Sequence, residues 1–348
     1  MAKRAQITIE DVADAAGVSR QTVSRVINLS PNVKAVVRER VLAAIDRLGY
    51  VPNISARRMG GGRSYLILAI NDRQRTLENW RAGHGNDWVD QMLYGGMTEC
   101  ERHGYHLVFE LIEADSPSSA RQLADVLASL RPDGVILTPP HCDNPDLIAV
   151  LTERSIPSAR VGHHQGQGHV DVHMDEGRAA GRAAEHLIDL GHRRIAYIAG
   201  APNYGNSALR VSGYLAALSH AGLQPDQSLI GNGNFQFATA AEVIETMLGG
   251  DNPPTAIIAD NDEMAFAALH VADRHGIVVP SGLSIVSFED TPGVRFSVPP
   301  LTAIRQPTAA MIAKASERLI AISKGEEGFG AYLLDFELIE RASTGKPG

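Results

Sequence analysis

Residues 8–28 read TIEDVADAAGVSRQTVSRVIN, and their spacing predicts two short helices joined by a turn at Gly17. Thr8 is placed to cap the first helix, with Asp11 three residues on completing a capping box, and Val12, Ala15 and Ala16 are expected to form its apolar stripe. Ser19 is expected to cap the second helix, whose inner face is Val23, Val26 and Ile27. That arrangement leaves Arg20, Gln21, Thr22, Ser24 and Arg25 pointing outward. Such hydrogen-bonding and cationic groups suit base edges in a major groove and flanking phosphates.

Two short helices lack a core of their own. A third, over roughly 36–48 with Val37, Val41, Ile45 and Leu48 on one face, supplies it. Charge is segregated along the chain. Residues 1–63 hold 11 Lys+Arg against 5 Asp+Glu, a net +6; the whole chain has 32 and 40, so the remainder is net −14. A basic head on an acidic body is the electrostatic footprint of a nucleic-acid-binding domain joined to something else.

At 348 residues the chain is long enough for two or three domains. No apolar run approaches the ~20 residues that span a bilayer, and the N-terminus lacks the apolar segment of a secretory signal, so a cytoplasmic, nucleoid-associated protein without a membrane partner is expected. Cys100 and Cys142 stand far apart without a partner motif, which fits a reducing compartment.

Beyond the third helix, Pro52 breaks the helical pattern and Gly60-Gly61-Gly62 follows a short basic stretch with Arg57 and Arg58, which reads as a hinge. From residue 64 short apolar runs (65–70, 105–112, 134–139, 194–200, 255–260, 283–288) alternate with helical stretches (89–103, 118–130, 177–190, 207–221, 238–249, 262–275). The alternation predicts parallel sheets covered by helices, divided into two doubly wound lobes that break near 162–174. A ligand would lie at the carboxyl ends of the strands, between the lobes.

Over nearly its whole length the chain resembles the lac-repressor family of bacterial transcription regulators. The resemblance is carried by DVADAAGVSRQTVSRVIN, GYVPNISARRM, EHLIDLGHRRIAYIAG, ADNDEMAFAAL, SFEDTP, PPLTAIRQP and ERAST, in family order. It implies an N-terminal all-α helix-turn-helix domain (1–50), a hinge (51–63) and an α/β body of periplasmic-binding-protein type. The two lobes would be 64–173 with 306–334, and 174–305 with 335–342. It also implies a homodimer on a pseudo-palindromic operator, with recognition helices in successive major grooves and paired hinge helices in the minor groove. Arg20 and Gln21 would set operator sequence and Arg25 would add a base or phosphate contact. Thr8, Ser19, Thr22, Ser24, Asn28 and Asn53 would position the head on phosphates, and Ala56 and Met59 would lie in the hinge at the operator centre. Met59 stands where most of the family has a wedging leucine, and Lys34 replaces the usual small hydroxyl residue before the third helix.

In the body the resemblance implies a small-molecule effector, a sugar or related metabolite, between the lobes. Arg210, Phe235, Asn261, Glu289 and Gln306 match its contacts, with Glu289 where the family usually has Asp. Gly162 replaces a common Asp, an exchange that would admit a bulkier or anionic ligand. The stretch 71–88 reads as a loop longer than the family's usual one, able to bring Asp72, Trp80 or Trp88 to the cleft or simply to be a solvated insertion.

His163, His164, His169 and His173 fall close together but irregularly, and Cys100, His103 and His106 sit at a helix-to-strand corner; both groups are read as structural and no metal or cofactor is predicted. No Walker or GxSxG motif points to an enzyme. The alternative, a sugar-binding protein without a transcriptional role, would fit the body but not the basic head. The tail shows no leucine heptads, so a dimer of dimers is not expected.

Overall fold

The computed structural model describes residues 7–27, 32–50, 63–83, 86–114, 116–162 and 169–348 of the chain. Among the described residues the head holds three helices: α1 (Ile9–Ala16), α2 (Arg20–Ile27) and α3 (Ala35–Leu48). Thr8 and Asp11 form the capping box: Thr8 N–H donates to Asp11 Oδ2 at 2.7 Å, and Asp11 N–H donates to Thr8 Oγ1 at 3.3 Å. Gly17 closes α1 at φ 60°, a left-handed turn that a residue with a Cβ adopts only at a cost. Val12, Ala13, Ala16, Val23, Val26, Val41, Ala44 and Tyr50 form the head core. One expectation fails: Ala15 is exposed and Ala13 is buried, because α3 meets α1 on the 12–13–16 side. α3 starts without a side-chain cap at Lys34.

Two six-stranded sheets make the body. The first runs β11-β5-β4-β3-β1-β2 and is parallel throughout; its strands are β1 (Leu66–Asp72), β2 (His106–Ile112), β3 (Gly134–Leu137), β4 (Ser158–Val161), β5 (Val170–His173) and β11 (Gly330–Leu333). The second runs β12-β10-β9-β8-β6-β7, with β6 (Ile195–Ala199), β7 (Ile230–Asn232), β8 (Ala256–Ala259), β9 (Ser284–Glu289), β10 (Thr302–Arg305) and β12 (Glu337–Ile339). Its edge strand β12 pairs antiparallel to β10, so this lobe is not purely parallel as expected. Both sheets repeat the doubly wound order 2-1-3-4-5, which opens a crevice at the carboxyl ends of the strands.

Helices cover both faces. In the first lobe these are α4 (Arg73–Ala82), α5 (Asp87–Arg102), α6 (Ser119–Leu130), α7 (Pro145–Glu153) and the returning α13 (Thr308–Ser323). The second lobe has α8 (Glu176–Asp189), α9 (Gly205–His220), α10 (Phe237–Leu248), α11 (Asp262–Arg274) and the short α12 (Pro292–Phe296). Two apolar clusters sandwich each sheet. α8 and α9 cross very closely: a Cβ on Gly213 would fall 1.9 Å from the Gly177 carbonyl oxygen, so the contact requires glycine. That closeness brings Arg210 of α9 onto Glu176 of α8.

The stretch 71–88 is not a loop. Residues 73–82 form α4, and Trp88 lies in the first turn of α5, capped by Asn86, which accepts Val89 N–H at 3.3 Å. Among the described residues no helix is long and apolar enough to cross a membrane.

Candidate functional site

On the head, α2 presents Arg20, Gln21 and Arg25 to solvent, while Thr22 and Ser24 are half-buried. Arg20 Nε lies 3.2 Å from Glu10 Oε1 of α1, an exposed ion pair. Ser19 accepts Thr22 N–H at 3.2 Å and its hydroxyl pairs with that of Thr22 at 2.9 Å. Thr8, Ser19 and Thr22 therefore already serve the helix starts, whereas Gln21 and Arg25 project from a rigid face. Asn28, Asn53, Ala56 and Met59 lie outside the described residues.

In the body, a cavity of about 420 Å³ lies between the lobes at the strand ends. Asp72, Trp88, Arg210, Phe235, Asn261, Glu289 and Gln306 all line it. Arg210 anchors its floor. Its Nε donates to Glu176 Oε2 at 2.6 Å, Nη1 to the Asp260 carbonyl at 2.8 Å, and Nη2 to Gln306 Oε1 at 3.3 Å; the guanidinium lies 4.4 Å from the Phe288 ring centre. Burial works against this cation, but Glu176 and Asp260 outweigh it and hold the guanidinium pKa above its ordinary value. Asp260 is fixed in turn by Tyr197 and Ser207.

Carboxylates crowd the opposite wall. Asp262 accepts Thr291 N–H at 2.7 Å and the Ser287 hydroxyl, yet burial lifts its pKa to about 7. Burial, with Asp262 and Asp87 adding like charge, pushes the Glu289 carboxyl well above its ordinary range. Glu289 and Asp290 adopt φ 98° and 60°, backbone that L side chains avoid. Three arginines hold this strained corner through Asp290: Arg341 at 2.5 Å, Arg305 at 2.8 Å and Arg295 at 3.4 Å.

Helix α4 closes the cavity. Asp72 caps it, accepting Arg75 N–H at 3.3 Å, and Asn71 Nδ2 donates to Thr76 Oγ1 at 2.8 Å. Across the cleft, Tyr204 Oη donates to Asp72 Oδ2 at 2.9 Å, while Arg75 Nη1 donates to the Asn234 carbonyl at 2.9 Å. Tyr204 and Phe235 pack edge-on with ring centres 5.3 Å apart.

The model of bacterial regulatory proteins of the lacI family matches residues 8–53, and that of the periplasmic binding protein-like domain matches residues 184–344. The HTH-type transcriptional regulator CelR of Thermobifida fusca is 33% identical over 332 residues, covering 94% of each chain. The chain belongs to the lacI family. The Escherichia coli lactose operon repressor is 29% identical, over 98% of this chain and 91% of its own. Among solved structures, a lac repressor dimer bound to operator and an anti-inducer superposes with a TM-score of 0.79 at 28% identity, covering 98% of this chain and 100% of that one. A CelR–cellobiose complex gives 0.72 at 29%, covering 97% and 99%. The relatives named are regulators and repressors of transcription.

Within this family frame, the seven cleft residues named from sequence share one cavity, but with two refinements. Arg210 is largely committed to Glu176 and Asp260, leaving Nη2 nearest Gln306 as its cavity-facing end. Gly162 makes no extra room: a Cβ there would meet the Asn206 amide at 2.8 Å, so Asn206 occupies the space of the missing carboxylate. Sequence reasoning missed Arg75, Tyr204, Asp262, Asp87 and Phe237. Asp262 follows Asn261 directly in DNDEM, so the local motif contained the signal. Arg75 had none, because the α4 sequence lacks an apolar stripe.

Trp80 is exposed and lies outside the cavity lining. His103 bonds Glu99 at 3.1 Å and Cys100 is buried, its thiol pushed up to about 11 by burial. His169 bonds Ser158 at 2.6 Å, and His163 and His164 lie outside the described residues. Among the described residues, no three His, Cys, Asp or Glu side chains stand close enough to hold a metal ion.

Proposed function

We propose that this lacI-family regulator is a repressor that binds a pseudo-palindromic operator as a homodimer and is controlled by a neutral sugar or sugar derivative held between its lobes. The observation that carries the reading is the cavity built by both lobes at their strand ends, with a neutralised arginine at its floor, carboxylates on one wall and Trp88, Phe235 and Phe237 beside them. Carboxyl groups, ionised or protonated, hydrogen-bond sugar hydroxyls, and aromatic rings cover apolar sugar faces. Among the described residues lining the cavity, Arg210 is ion-paired to Glu176 and Arg75 is bonded across the cleft to Tyr204 and Asn234, an arrangement that favours a neutral ligand over a sugar acid or phosphate.

Thr8, Ser19, Arg20, Gln21, Thr22, Ser24, Arg25, Asn28, Asn53, Ala56 and Met59 form the DNA-facing set of this reading. Arg20 suits guanine and Gln21 adenine. Effector binding changes the angle between lobes and so the spacing of the paired hinges, shifting the population of DNA-competent dimer. The coupling is reciprocal: a tenfold loss of operator affinity on effector binding, about 1.4 kcal/mol, implies the same loss of effector affinity on DNA.

A thermal-shift screen of the intact chain against cellobiose, other disaccharides, monosaccharides, polyols, nucleosides and sugar acids tests the effector class. A ligand at 100 times its dissociation constant adds about 2.7 kcal/mol of stability. A neutral glycoside should raise the melting temperature; response to sugar acids alone would overturn the assignment.

A further inference from the structure

Helix α4 belongs to the first lobe by its N-cap on Asp72 and by the bond between Asn71 and Thr76, which is 1% exposed. Its Arg75 side chain reaches the other lobe. Arg75 Nε donates to Tyr204 Oη at 3.2 Å, Nη1 to the Asn234 carbonyl at 2.9 Å and Nη2 to Asn234 Oδ1 at 3.3 Å. The guanidinium also lies 5.1 Å and 5.2 Å from the ring centres of Tyr204 and Phe235. The loop it grips is strained: Asn234 and Phe235 take φ 53° and 55°. Such backbone persists only where its surroundings hold it. Within its own lobe the loop is held by Asn261 Nδ2, which donates to the Phe235 carbonyl at 3.3 Å, and by Asn234 N–H, which donates to Asn232 Oδ1 at 2.9 Å. The bond to the Asn234 carbonyl comes from the opposite lobe, so that contact depends on closure of the cleft.

We propose that Arg75 is a positioning residue for the effector site: it latches α4 onto the second lobe, making that helix the roof of the cavity. This rests on the cavity being the effector site, although the latch can be tested with no effector present. Tyr204 is its second half, bridging Asp72 and Arg75 as donor to one and acceptor from the other. Entry of an effector past this roof requires the latch to open. Loss of charge-assisted bonds across the cleft raises the open population by about tenfold.

Trp88 reports the change. It lines the cavity, and Trp80→Phe leaves it as the chain's single tryptophan. In that background, acrylamide quenching of Trp88 is compared among the parent, Arg75→Ala, Arg75→Lys, Tyr204→Phe and Arg73→Ala. Arg73 is exposed and carries the same charge, but has no place in the latch. The expected order of quenching is Arg75→Ala above Arg75→Lys and Tyr204→Phe, with Arg73→Ala equal to the parent and all melting in one comparable transition. Equal quenching in parent, Arg75→Ala and Tyr204→Phe would overturn the latch while leaving the effector assignment standing. Should Arg75→Ala fail to fold, Tyr204→Phe alone decides: unchanged quenching there also overturns it. Failure of every sugar to bind, with quenching behaving as expected, would overturn the effector assignment instead.

Discussion

The head and the cleft hold their functional groups in opposite ways. On α2 the side chains assigned to bases, Gln21 and Arg25, stand in solvent on a small apolar core, and Arg20 has only an exposed partner in Glu10. In the cleft nearly every polar group is tied to another: Arg210 to Glu176 and Asp260, Asp72 to Tyr204, Asp262 to Ser287 and Thr291. A sequence-specific reader of DNA needs free groups on a rigid frame, since base contacts form on docking. A site that must change the angle between two lobes needs groups whose bonding differs between arrangements. Substitutions should therefore alter selection without stability in the head, and stability together with binding in the cleft.

The largest effect is expected at Arg210. Arg210→Ala leaves Glu176 and Asp260, 3% and 0% exposed, as buried charges without their counter-ion, a loss of about 3–5 kcal/mol. Calorimetry should show the body melting far lower; retention of the parent melting temperature would break the contrast with the head. Next come Arg20 and Gln21. Replacing either with Ala should cost about 1–3 kcal/mol of discrimination at one operator position with the melting temperature unchanged, read by selection from random DNA.

A pH effect of intermediate size comes from Asp262. Its folded pKa of about 7 lies above its ordinary 3.8, so the native state holds a proton that the unfolded chain releases. That contribution is fully present below about pH 4 and is lost as pH rises through 7. Glu289 acts in the same direction. Melting temperature should therefore fall between pH 4 and 7 through this wall, and Asp262→Asn should flatten the slope; an equal slope in the variant would place the proton elsewhere. The smallest effect belongs to Glu10→Gln. Exposed ion pairs contribute little to stability, so the change should raise affinity for random-sequence DNA slightly by freeing Arg20, with no measurable change in melting.

The same contrast explains what the sequence made legible. Head helices announce themselves because caps, a turn glycine and helical spacing all lie within about twenty residues. The strands 66–72 and 256–259 were plain as apolar runs, whereas β4 (SARV) and β5 (VDVH) were not, because Arg160 and Asp171 are buried inside them and break the pattern. Helix α4 is hidden in the sequence for a related reason: it buries Thr76 and turns Arg75 toward another lobe, so no apolar stripe marks it. The cleft residues Arg210 and Asn261 are legible through family position. Their partners are not, since Glu176 lies 34 residues and Asp260 50 residues from Arg210 and only the fold joins them.

The central claim is that one chain couples the head to the cleft. Its most direct test is fluorescence titration of the intact protein onto the DNA site enriched from a random pool, with and without the disaccharide that most raises its melting temperature, together with the reverse titration of sugar with and without that DNA. The account predicts a palindromic site and the same factor of change in both titrations. An unchanged operator affinity at saturating sugar, with both ligands bound, would contradict it.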